Sequence, residues 1–103
     1  MKNVSIKNQT RTMAYDVSEQ LRTPEEMAAY LDAWLDEAPE DASGIARALG
    51  DIARAKGMTQ VARDAGVSRE SLYKSLGENG NPTFSTVLKV AKALGVRFHA
   101  QVA

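Results

Sequence analysis

Residues 58–76, Met-Thr-Gln-Val-Ala-Arg-Asp-Ala-Gly-Val-Ser-Arg-Glu-Ser-Leu-Tyr-Lys-Ser-Leu, constrain the fold of this chain more than any other stretch. Thr59 is placed to cap a short helix with Val61, Ala62 and Ala65 on a narrow apolar face. Ala62 is small, so a second helix can cross close to it. Gly66 can take a positive φ at the corner without steric cost, and Val67 fills the angle behind it. Ser68 suits the N-cap of a second helix whose inward residues, Leu72 and Leu76, lie four apart on one face. Together these positions read as a helix-turn-helix. A plain helical hairpin would share the apolar spacing, but it has no need of Gln60, Ser68, Arg69 and Lys74 all pointing outward.

In a helix-turn-helix that binds DNA, the outward side chains at the start of the second helix meet base edges in the major groove. Here those are Ser68, Arg69, Glu70, Ser71, Tyr73 and Lys74. Arg69 leads, because a guanidinium pairs bidentately with guanine; Ser68, Ser71 and Tyr73 would assist through bases, a thymine methyl or phosphate. Gln60 and Lys74 suit phosphate. Glu70 either accepts from cytosine or balances Arg69, the latter being the simpler role. The loop Gly77-Glu78-Asn79-Gly80-Asn81-Pro82 follows, and Asn79 and Asn81 are expected to run beside the phosphate backbone. Asn and Gly also occur in plain connectors for conformational reasons.

A net charge of zero over 103 residues is unusual for a chain that must neutralise phosphates. The total hides a division. Residues 1–52 carry five basic and ten acidic side chains, a net of −5, whereas residues 53–103 carry eight basic and three acidic, a net of +5. From Thr23 to Ala46 there is no Lys or Arg, but there are seven carboxylates: Glu25, Glu26, Asp32, Asp36, Glu37, Glu40 and Asp41. The halves then face different partners, or the acidic stretch is a solvated surface.

The other bounds are simple. Apolar residues make up 44% of the chain, enough for a core. Neither a membrane-spanning run nor a secretory leader is expected. The absence of cysteine excludes disulfides and thiolate zinc sites and fits a cytoplasmic protein. His99 stands alone, and no Ser/His/Asp or carboxylate pair has a spacing that demands chemistry. No catalytic residue, metal or cofactor is therefore expected, and the chain is not expected to be an enzyme.

Caps and breaks organise the chain. Residues 1–22 read as a polar arm, with Met13, Tyr15 and Val17 alternating as a weak strand. Thr23-Pro24-Glu25-Glu26 starts an acidic helical extension, 23–40, with a capping box and with Met27, Leu31, Trp34 and Leu35 on one face until Pro39 stops it. Asp41 caps the first helix of a domain spanning 41–95, where Ile45, Leu49, Ile52 and Ala53 repeat at helical spacing up to Lys56-Gly57. Thr83 caps a last helix with Phe84, Val87, Leu88, Ala91 and Leu94 on one stripe, ended by Gly95. In 96–103, Val96, Phe98, Ala100 and Val102 alternate with polar residues, which predicts a short terminal β-strand. It would pair with residues 12–17 or with the same strand of a second chain, and the latter offers a route to a homodimer.

At this point the residues resemble a known group. Gly57-Met58-Thr59-Gln60-Val61-Ala62, Gly66-Val67-Ser68-Arg69, Leu72-Tyr73 and Asn81-Pro82-Thr83-Phe84, followed by residues 87–96, are similar to the Cro/C1-type helix-turn-helix proteins. Asp16 to Leu35 ahead of Ala48 to Gln60 resembles, more narrowly, the probable addiction-module antidotes, the HigA-like antitoxins. The resemblance spans about 16–98. It implies a mainly α, five-helix lambda-repressor-like DNA-binding domain with an N-terminal helical extension. It also implies an antitoxin of a type II toxin–antitoxin system that binds operator double-stranded DNA as a homodimer, represses its own operon and neutralises a RelE/HigB-like toxin. Such toxins need positive charge to grip RNA, so an acidic partner segment is physically apt. A stand-alone Cro/C1-type regulator, or an adaptor that no longer binds DNA, would show much the same residues.

Overall fold

The computed structural model describes residues 20–103, which form five helices. The first, α1 (Pro24–Glu37), begins with a complete capping box. The Thr23 hydroxyl accepts from the Glu26 N–H at 3.1 Å, and the Glu26 carboxylate accepts from the Thr23 N–H at 3.1 Å. Pro24 costs nothing at the first helical position, where its missing N–H would have had no helical partner. Asp41 caps α2 (Ala42–Lys56) by accepting from the Gly44 N–H at 2.8 Å. Two short helices follow, α3 (Met58–Ala65) and α4 (Arg69–Ser75), and then α5 (Phe84–Ala93), capped by Thr83.

Apolar faces from all five helices meet in one core. Leu31 of α1, Leu49 and Ile52 of α2, Val61 of α3, Leu72 of α4 and Val90 of α5 are essentially inaccessible, with Leu76 and Leu94 just beyond their helices. Helix α3 is central: it packs on α2, α4 and α5, while α1 lies on α2 and shares the same core. Among the described residues no polar or charged residue is buried outright. The polar contacts that lock the packing sit at its edge. Tyr30 Oη of α1 donates to Asp51 Oδ2 of α2 at 2.9 Å, and Arg54 holds the other oxygen of the same carboxylate at 2.8 Å. At the far end of α2, Lys56 Nζ donates to the Ala93 carbonyl at 3.0 Å, tying α2 to the close of α5.

The turn between α3 and α4 is fixed by its backbone. Gly66 has φ +74°, its N–H donates to the Arg63 carbonyl, and the Val67 N–H donates to the Ala62 carbonyl at 3.0 Å. This pair of bonds is a Schellman closure, which satisfies terminal carbonyls of α3 and turns Val67 back onto the core. The same pattern closes α5: Gly95 has φ +77°, and the Val96 N–H donates to the Ala91 carbonyl at 2.9 Å.

Three expectations from the sequence are corrected. Thr59 does not cap α3: Gly57 serves as C-cap of α2 and N-cap of α3 together, so the helix starts at Met58 and Thr59 falls inside its first turn. Residues 96–102 form no strand among the described residues, because the Schellman closure ties Val96 to α5 and nothing described supplies a ladder partner. The stripe assigned to α5 is also rotated. At about 100° per residue, Val87, Val90, Ala91 and Leu94 centre the inward face, and Phe84 and Leu88 stand roughly 70° and 110° away from it. Phe84 is accordingly 73% exposed and Leu88 45%. The arm and the 12–17 strand lie outside the described residues.

Candidate nucleic-acid interface

Helix α4 is only seven residues long, too short to persist alone, and is held by what lies behind it. Leu72 and Leu76 are fully buried, and Ser68 caps the helix by accepting from the Ser71 N–H at 3.0 Å. With its inner side anchored, α4 leaves Arg69, Glu70, Tyr73 and Lys74 exposed around the rest of its circumference, with Ser68 and Ser71 at the N-terminal end.

Arg69 and Tyr73, one turn apart, form a unit. The guanidinium carbon lies 5.3 Å from the centre of the Tyr73 ring, and an Arg69 Nη donates to Tyr73 Oη at 3.3 Å. A cation over an aromatic face is attracted by the ring quadrupole, so this arginine rests on a shelf built by its own helix. Lys74 and Glu70 form no such pairing with it. Gln60 is exposed on α3 and donates to Asp64 Oδ2 at 3.0 Å. Asn79 and Asn81 are exposed in the loop after α4, where Gly80 lies against the Ser75 carbonyl with no room for a side chain. Asn81 sits on the rim of a depression between the start of α2 and α5. Thus α4 and its cap expose Ser68, Arg69, Glu70, Ser71, Tyr73 and Lys74, while Gln60 and the two asparagines come from the neighbouring elements.

The Arg69–Tyr73 stack was not singled out from sequence, although their spacing of four on a helix is the signal that could have found it. The Tyr30–Asp51–Arg54 cluster was also missed; only its Asp51/Arg54 pair, three apart, is a local signal. Burial pushes the pKa of the Tyr30 phenol well above its ordinary value, and the nearby Asp51 carboxylate, which accepts its hydrogen bond, adds to the rise. Among the described residues no group of His, Asp or Glu is placed to hold a metal ion, and no helix is long and apolar enough to cross a membrane.

Comparison with known proteins gives this helical chain its class. Residues 11–102 match the model of a family described as "Probable addiction module antidote protein", and the chain belongs to that family. A protein of Haemophilus influenzae, described only as uncharacterized, is 54% identical over 87 residues, covering 84% of this chain and 88% of the relative. No solved structure was found to match this chain significantly.

Proposed function

We propose that this chain is a DNA-binding antitoxin: a homodimer in the cytoplasm that represses its own operon and neutralises a RelE/HigB-like toxin. Membership of the antidote family supports the antitoxin role. The observation that carries DNA binding is the outward face of α4, a polar set mounted on two buried leucines and led by an arginine lying on its own tyrosine. Arg69 reads a guanine in the major groove, with Tyr73 as its shelf and Ser68 and Ser71 at neighbouring bases or phosphates. Gln60, Lys74, Asn79 and Asn81 hold the backbone, and Glu70 balances Arg69. Toxin capture falls to the acidic surface of α1, where Asp32 and Asp36 lie four apart on one exposed face beside Glu37.

The DNA test is a titration of the region upstream of the gene. Arg69→Ala should cost on the order of 1–3 kcal/mol and relax specificity at one base pair; unchanged binding removes α4 as the reading helix. The antitoxin test is co-expression with the adjacent gene. Rescue of growth and co-purification support the role, and a neighbour that is harmless leaves a stand-alone regulator.

A further inference from the structure

Phe84 is 73% exposed at the start of α5, and Leu88, one turn on, is 45% exposed. Beside them, Ala42, Ile45, Pro82 and Val87 line an apolar depression of about 250 Å³ into which the chain's own Phe84 does not reach. That volume is ample for one aromatic ring, since a cavity of about 150 Å³ accepts benzene. An aromatic knob and an aromatic-sized hole therefore adjoin on one face, joined through Val87 and the Pro82 turn. This is what a two-fold interface needs, where one patch must complement itself. Charge agrees with it. Glu40, in the linker at the mouth of the depression, is an exposed acid, next to Asp41, whose carboxylate caps α2, whereas α5 carries Lys89 and Lys92 and no carboxylate.

We propose that the occupant is a second copy of this chain: Phe84 of each protomer fills the depression of the other, with the acidic linker of one set against the basic α5 of its partner. The proposal rests on the homodimer of the proposed function and moves its interface from the terminal segment to α5. Because Phe84 is so exposed, Phe84→Ser should leave the helical content of the chain unchanged. In sedimentation of the full-length chain it should raise the dimer dissociation constant by roughly 100-fold or more, as each dimer loses both rings. The chain has no cysteine, so a Phe84→Cys variant mixed with an Ala42→Cys variant should cross-link through a short bismaleimide far better than either variant alone. A Phe84→Ser chain that stays dimeric, or a mixture that links no better than its components, overturns the proposal. A wild-type chain that is monomeric overturns both this interface and the homodimer. If the mixed cysteine variants cross-link as expected but the wild-type dimer ignores the upstream DNA, the DNA reading is overturned and the interface stands.

Discussion

Tyr30 and Gly50 are two single positions where the packing of one helix on another makes a specific demand. Tyr30 reaches from α1 to Asp51 of α2, and burial followed by the neighbouring carboxylate raises its pKa. The folded chain thus keeps this phenolic proton to higher pH than the unfolded chain does. The stability this contributes is fully present below the ordinary tyrosine value of 10.0 and is lost as pH rises above it. Denaturation followed from pH 9 to 11 should show stability falling, and Tyr30→Phe should flatten that slope; equal slopes would remove the phenol as the cause. Gly50 meets the end of α4: a Cβ there would lie 2.7 Å from the Leu76 carbonyl oxygen, which is backbone and cannot swing aside. Gly50→Ala should therefore lower stability by about 1–3 kcal/mol in a urea titration, although alanine is the better helix former. Neither demand is readable from sequence, because each depends on which helix lies opposite. Leu49, Ile52, Leu72 and Leu76 were readable as core, since helical spacing alone puts them on one side.

At the scale of the element, local chemistry was legible and tertiary direction was not. Thr23, Asp41, Ser68 and Thr83 all cap the helices their sequences announce, because a cap needs only residues within three positions of it. Thr59 failed because Gly57 already served both helices. Phe84 and Leu88 read as core because an apolar stripe on α5 can be drawn two ways; the packing of α3 and α2 against Val87, Val90 and Leu94 chose one. The terminal strand failed for the same reason: alternation gives a strand its two faces but no partner for its backbone. Of the candidate site, the α4 face was legible as outward residues of a periodic helix, whereas the Arg69–Tyr73 stack depends on rotamers that spacing does not fix. The cap on α4 carries a test. Ser68→Ala should cost about 1 kcal/mol of stability, and a helix so short should fray from its start and loosen Arg69. DNA binding should then weaken by more than the loss of one serine contact, and adding a neutral-surface control such as Ser85→Ala should change neither quantity.

The whole molecule is neutral in sum and divided in layout, and that division makes two separable faces. The acidic residues 23–41 lie on α1 and its linker, while the basic excess lies in residues 53–103, which hold α3, α4 and α5. Exposed charge at a distance from a contact acts mainly on encounter, so its signature is a rate that depends on salt. Replacing Asp32 and Asp36 by Asn and Glu37 by Gln removes charge from α1 without touching its buried Met27, Leu31 and Trp34. Helical content should hold. Stopped-flow association with the adjacent gene's product should slow by roughly tenfold at low salt, and its decline with added salt should become shallower. Binding of the upstream DNA by the free protein should not weaken, since the residues changed belong to α1 and not to α3, α4 or the loop after it; removing negative charge would if anything favour a phosphate partner. If the triple variant captures the toxin at the wild-type rate across the salt series, α1 is only a solvated surface, and the toxin must be recognised elsewhere on the chain.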